Sequence, residues 1–131
     1  MSREIIRTDR APSSPLYSQG VKAGSTIHVS GMPGIDPATG SLAGLTIQEQ
    51  TRQAIANCAN VVAAGGGSLG DVVEVGVLLT RPEDFAGMNE VFAEVFDVDP
   101  PTRYVAKLGV ALPDVLVSVR MTAVLDTAPS S

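Results

Sequence analysis

The stretch TIQEQTRQAIANCANVVAAGGG, residues 46–67, decides the fold. Thr46 followed by Glu49 forms a capping box, in which each side chain satisfies a free backbone N–H at the start of a helix. Ile47, Thr51, Ala54, Cys58 and Val61 then recur every three or four residues, and Ile55 and Val62 widen the apolar stripe. Gly65, Gly66 and Gly67 stop the helix, because glycine accepts the left-handed conformation common just past a helix end. The spacing predicts one amphipathic helix from Thr46 to about Ala64, with one face against a core.

Strand signals lie on both sides of this helix. Downstream, DVVEVGVLLT (Asp71–Thr80) is rich in Val and reads as a strand buried on at least one face. Pro82, Glu83 and Asp84, preceded by Thr80, open a second helix. Its apolar face is Phe85, Met88, Phe92, Val95 and Phe96, so it holds all 3 phenylalanines of the chain. Pro100-Pro101 ends that helix and stiffens the approach to Thr102-Arg103. Tyr104–Leu108 and Val115–Leu125 read as the last strands. In the second of them Val115, Val117, Val119, Met121 and Ala123 share one face, with Leu116, Ser118, Arg120 and Thr122 opposite.

Upstream, residues 3–8 read as a short strand, followed by a Pro/Ser-rich turn at Ala11–Pro15. Ser18–Ala23 and Thr26–Ser30 form a hairpin around Gly24-Ser25. Gly31–Gly44 reads as a long structured loop, with turn chemistry at Asp36–Gly40. The tail Asp126–Ser131 is expected to fray. Strands, helix, strand, helix and strands follow one another with no repeat and no linker. Residues 1–131 are therefore expected to form one α+β domain, a sheet with two helices packed on one face.

Charge and ligand supply close off several function classes. The net charge is −5 and the pI about 4.6, with no basic run. Nucleic-acid affinity rests mostly on Lys and Arg neutralising phosphates, so general RNA or DNA binding is disfavoured. One cysteine, Cys58, and one histidine, His28, exclude an intrachain disulfide and starve a zinc site of ligands. MSREIIRTDR has no apolar signal region and no stretch approaches spanning length, so the cytoplasm is the expected compartment. No G-x-S-x-G, P-loop, H-E-x-x-H or dinucleotide glycine fingerprint occurs. Gly65–Gly67 follows a helix instead of preceding one, which makes it a cap and not a phosphate cradle.

The polar residues that remain as site candidates sit at strand ends and in loops. Arg103 follows a rigid Pro-Pro-Thr and opens a strand, where its guanidinium can grip a carboxylate through two parallel hydrogen bonds; the alternative is a solvated strand-end arginine. The Tyr17 hydroxyl can meet a ligand or cap a core edge. Asn89 lies beside Met88 on the second helix, where surface and packing residues are common. Cys58 falls on the core stripe and reads as an inert buried thiol. His28, inside a strand, reads as structural.

An ordered set of segments spanning nearly the whole chain resembles the Rid (reactive intermediate deaminase) family, also called the YjgF family. The segments are Ala11-Pro12 with Ser14–Gly20, Val29–Pro33 with Asp36–Gly40, Gln50–Ala54 with Asn57, Asp84-Phe85 with Asn89, Pro101-Thr102-Arg103, and Leu112-Pro113. The resemblance implies a chorismate-mutase-like fold, a single mixed sheet under two helices, assembled as a homotrimer with clefts between subunits. It implies hydrolysis of reactive imine or enamine acids, such as 2-aminoacrylate, to 2-oxoacids and ammonia, with no cofactor and no metal. By position Arg103 matches the arginine that holds the substrate carboxylate, and Tyr17 a cleft tyrosine. Gly31 matches a backbone contact to substrate with Ser30 beside it, and Asn89 a cleft asparagine.

Two positions depart from the family pattern. Aligning Leu112-Pro113 and Asp114-Val115 puts Ser118 where family deaminases carry a glutamate that positions the attacking water. Ser118 can hydrogen-bond a water but cannot act as a carboxylate base. Val105 replaces a cysteine two positions after the arginine. The spacing from Arg103 to Leu112-Pro113 is one residue longer than the family's, which leaves the match at Ser118 open by a position. Alongside the deaminase stands a second expectation, a non-catalytic binder of small carboxylates that regulates a partner. An endoribonuclease or translation inhibitor, a label some relatives carry, is opposed by the acidic charge.

Overall fold

Thr46 caps the long helix as its side chain dictates. Its Oγ1 accepts the Glu49 N–H at 3.2 Å, and the Glu49 carboxylate accepts the Thr46 N–H at 3.3 Å. Helix α1 then runs Ile47–Ala64 in the structure, a computed structural model that describes residues 2–126. The expected tail 127–131 lies outside the described residues. At the other end the left-handed conformation falls on Gly66, with φ +97°, and not on the cap residue Gly65.

The sheet has six strands: β1 (Arg3–Ile6), β2 (Gly20–Ala23), β3 (Thr26–Pro33), β6 (Val72–Leu79), β7 (Thr102–Lys107) and β8 (Val117–Val124). A separate small hairpin, β4 (Ile35–Asp36) with β5 (Ser41–Leu42), fills the segment expected to be loop. The strand order is β1-β2-β3-β8-β6-β7. All neighbours are antiparallel except β6 and β7, which are parallel because a helix crosses between them. That helix, α2, spans Phe85–Val95 and is preceded by a short 3₁₀ turn, Pro82–Asp84. Thr80 does not cap it; the Thr80 hydroxyl instead lies 3.3 Å from the Val115 carbonyl. The fold class is α+β, as the element order predicts.

Side-chain alternation divides the sheet into two unlike faces. Ile27, Val29, Met32, Val75, Val77, Leu79, Val117, Val119, Met121 and Ala123 are buried beneath the helices. They meet Ala54, Cys58 and Val61 of α1 and Met88, Val91 and Phe92 of α2 in one core. Val115 is buried as expected, although β8 itself starts later. On the opposite face stand His28, Glu74, Tyr104, Ser118, Arg120 and Thr122, and no helix covers them. There Arg120 pairs with Glu74 at 3.0 Å and donates to the Thr122 hydroxyl at 2.7 Å. No helix among the described residues is long and apolar enough to cross a membrane.

Three buried side-chain amides tie irregular segments to this frame. Gln50 is fully buried; its Nε2 donates to the carbonyls of Gly44 and Asp114 at 3.1 and 2.9 Å, and its Oε1 accepts the Leu116 N–H at 2.8 Å. Because Leu116 gives its N–H to Gln50, and Asp114 turns with φ +61°, β8 begins at Val117 and not at Val115. Asn57 donates to the carbonyls of Pro33 and Ile35, holding the end of β3 and the start of β4. Gln19 accepts the Thr8 N–H and donates to the Thr8 and Ala11 carbonyls, which ends β1 at Ile6.

Gln50→Ala strands three backbone groups in the interior. At roughly 1 kcal/mol per net hydrogen bond, with a further desolvation cost, the expected loss is about 3–4 kcal/mol of folding stability. Urea denaturation measures it, and a loss below about 1 kcal/mol would contradict the role assigned to this amide.

Candidate functional site

Arg103 owes its position to strand register. It pairs with Val75 across the parallel ladder and so shares the helix-facing side of the sheet. On an edge strand the long side chain emerges from beneath α2 instead of entering the core. Its guanidinium carbon lies 5.0 Å from the Phe92 ring centroid and 5.9 Å from that of Phe85. Nη1 donates to Asn89 Oδ1 at 2.8 Å and approaches Met88 Sδ at 3.5 Å. Two aromatic faces and an amide thus orient a permanent cation.

What Arg103 does not contact matters as much. Ion pairs among the described residues join Arg52 to Glu94, Arg81 to Asp84 and Arg120 to Glu74; Arg103 has none. Its Nε and Nη2 donate to no described residue, which leaves a two-pronged edge of the guanidinium for an external carboxylate. Arg52 and Arg81 are raised above the ordinary arginine range by hydrogen bonds and charge from their own carboxylates. Both are committed within the chain.

Two grooves lie near Arg103, which lines the first and approaches the second through the Phe85 ring. One, of about 290 Å³, is lined by Phe92, Ala93, Phe96, Pro100 and Pro101. The other, of about 400 Å³, is lined by Leu79, Thr80, Pro82, Phe85, Val105 and Lys107. Phe85, the first residue of the apolar face of α2, is 47% exposed and walls this second groove. Position decides this: Phe85 opens α2 just after the Pro82–Asp84 turn, above the edge strand and not above the sheet centre.

Tyr17 belongs to a different construction. Ser14 and Tyr17 form an isolated bridge, and the Ser14 hydroxyl accepts the Leu16 N–H at 3.1 Å. Ser30 ties this loop to β3: its N–H donates to the Gln19 carbonyl at 2.9 Å and its hydroxyl to the Ser18 carbonyl at 2.6 Å. The Ser30 proton is therefore spent on the loop, leaving its oxygen lone pairs for a ligand. Tyr17 is half exposed, and Leu16 beside it is 90% exposed. Gly31 follows in the β-bulge, where an added Cβ would lie 2.9 Å from Ser118 Oγ; a side chain there would displace the Ser118 hydroxyl.

The candidate residues fall into two groups that one chain does not bring together. Arg103 and Asn89 form the first, on the helix-covered side. Gly31 and Ser118 form the second on the bare side, with Tyr17 and Ser30 reached through the Ser18–Gln19 backbone. Ser118 pairs with Leu78, and Leu78 with Ala106, so β6 separates β8 from the strand that carries Arg103. Nothing in the sequence reading marks the Phe85 and Phe92 rings as neighbours of Arg103. The spacing of Phe85, Asn89 and Phe92, four and then three residues apart, held the signal, since it sets all three along one helix flank.

A family model described as Endoribonuclease L-PSP matches residues 8–125. A RutC family protein of Pyrococcus horikoshii is 40% identical over 123 residues, covering 92% of this chain and 97% of that protein. Reactive Intermediate Deaminase A, chloroplastic, of Arabidopsis thaliana is 31% identical over 104 residues, 79% of this chain and 56% of that protein. Among solved structures, E. coli TdcF with bound serine superposes with a TM-score of 0.87 at 35% identity, covering 93% of this chain and 98% of that one. The chain belongs to the Rid, or YjgF, family.

Cys58 stands outside this chemistry. It is fully buried, its Sγ lies 3.1 Å from the Val119 carbonyl, and burial pushes its thiol far above the ordinary cysteine range. The folded protein is expected to resist alkylation by iodoacetamide at pH 8, and the urea-unfolded protein to react fully. Mass spectrometry reads the difference, and rapid labelling of the native chain would overturn the inert assignment.

Proposed function

We propose that this protein hydrolyses 2-imino and 2-enamino acids to 2-oxoacids and ammonia, in clefts formed between the subunits of a homotrimer. The observation that carries the reading is the Arg103 guanidinium, oriented by Asn89 between two phenylalanine rings and unpaired with any described carboxylate. Its natural complement is a small organic acid. A relative crystallised with bound serine, a small carboxylate-bearing molecule, supports the same ligand class. The separation of the Arg103 group from the Tyr17, Ser30, Gly31 and Ser118 group supports assembly, because a neighbouring chain would supply the half that each chain lacks. A reducing cytoplasmic setting suits a chain with one cysteine.

The chemistry demands little of the protein. An enamine acid first takes a proton on carbon and gives one up from nitrogen to become the imine. The imine carbon is then attacked by water, and the resulting carbinolamine expels ammonia to leave the 2-oxoacid. Arg103 holds the carboxylate and fixes which face of the imine the water meets. Tyr17 and Ser118 supply hydroxyls that can hydrogen-bond the water or the departing nitrogen, and the Gly31 backbone lies against the substrate. Ser118 positions water without accepting its proton, which predicts a slow enzyme.

One observation favours a second reading, a non-catalytic carboxylate binder that regulates a partner. The position matched to the family glutamate holds Ser118, which has no ionisable group. Ribonuclease activity fits least, because the net charge of −5 opposes an RNA backbone.

An amino-acid oxidase supplying the imine in situ separates these readings. Imine decay is expected to accelerate with the native protein, and Arg103→Ala to lose at least about tenfold of that acceleration, the scale of one charge-assisted pair. Identical decay with and without native protein would leave only the binder. Ser118→Glu is expected to raise the rate by about 10²-fold, within the range of a placed general base. An unchanged or lower rate would place the water-activating position elsewhere.

A further inference from the structure

The larger groove has the cation Lys107 in its wall, and the Arg103 guanidinium lies next to it, 5.9 Å from the ring centroid of its wall residue Phe85. Arg103, Val105 and Lys107 alternate along β7 on the helix-facing side, with Val105 opposite Val77 and Lys107 opposite Leu79. Four strand steps of about 3.3 Å set the Arg103 and Lys107 Cα atoms roughly 13 Å apart. The floor between them is apolar, made by Leu79, Val105 and Pro82, and Phe85 reaches from this groove to the guanidinium. Lys107 makes no ion pair and no side-chain hydrogen bond to any described residue. The second groove beside Arg103 is lined by aromatic, proline and alanine residues and has no such second cation.

We propose that the Val105 groove takes a short 2-oxo or 2-imino diacid, with its first carboxylate on Arg103 and its second on Lys107. This rests on the reading of Arg103 as the carboxylate anchor. An extended five-carbon diacid, with a charge-assisted contact of about 2.8 Å at each end, spans a length comparable to the roughly 13 Å between the Arg103 and Lys107 Cα atoms. Its methylenes lie over Val105 and beside Phe85, so only the ends need polar partners. Asp84, in the turn that contributes Pro82 to the groove, is held by Arg81 at 2.9 Å. Lys107 therefore decides which acids are preferred, and Arg103 decides whether acids bind.

Calorimetric titration of the full chain with 2-oxoglutarate and with 2-oxopentanoate, equal in carbon number, tests this. The native protein is expected to bind the diacid roughly fivefold more tightly, the scale of a partly exposed ion pair. Lys107→Gln is expected to bring the ratio of the two Kd values to about one, and Lys107→Arg to preserve the preference. A native ratio near one, or a preference unchanged in Lys107→Gln, overturns the diacid inference. If 2-oxopentanoate binds and Arg103→Ala abolishes it while the native ratio is one, the carboxylate anchor stands and only the second cation's role falls. If neither acid binds the native protein, the anchor itself is wrong and the diacid inference falls with it.

Discussion

A fully buried glutamine amide must find partners for both its oxygen and its nitrogen, because an unpaired polar group in an apolar interior costs several times what a formed hydrogen bond returns. Gln50 meets that constraint by binding Gly44, Asp114 and Leu116, which belong to parts of the chain far apart in sequence. Through those contacts α1 sets where the 31–44 segment ends and where β8 begins. The start of β8 then sets which of its residues face the helices and which face away, and so turns Ser118 toward Gly31. Asn57 and Gln19 perform the same service for the Pro33–Ile35 and Thr8–Ala11 segments. Irregular chain beside the sheet is held by these amides as well as by apolar contacts such as that of the buried Ala11, which suits segments that must present polar atoms at a site.

Arg103 illustrates how an edge strand can carry a functional cation without a compensating carboxylate. In the centre of the sheet its side chain would be buried under α1, and an unpaired charge there would be costly. At the edge, the stem passes beneath α2 while the guanidinium stays exposed, steadied by aromatic rings and one amide oxygen. An Asp or Glu in place of Asn89 would neutralise the cation that an external acid needs. The neutral amide orients the fork and leaves its charge available.

The uncovered face of the sheet carries a mixed population. Arg120, Glu74 and Thr122 satisfy one another, while Tyr104 lies across Gly76, where any Cβ would collide with its ring. A lone protomer therefore exposes ordered polar pairs and a half-exposed tyrosine on the face that also holds Gly31 and Ser118. In the proposed trimer, this face would supply the half of the candidate site that Arg103 lacks.

Local patterns in the sequence determined a good deal. The capping box at Thr46, the three-to-four spacing through Val62, the hairpin at Gly24 and the alternation from Val115 to Ala123 are encoded within a few residues, so their physics is complete without the rest of the fold. The ordered segments around Tyr17, Gly31, Asn89 and Arg103 likewise sufficed for the family. Tertiary structure alone decided the rest. Whether the 31–44 segment pairs with itself depends on Asn57, some 20 residues away, and the starting point of β8 on Gln50, more than 60 residues distant. The exposure of Phe85 depends on α2 lying over the sheet edge, and the grouping of Lys107 with Arg103 on the register of β7 against β6. Those outcomes arise from pairings between distant segments, and a pairing energy has no signature in either segment read by itself.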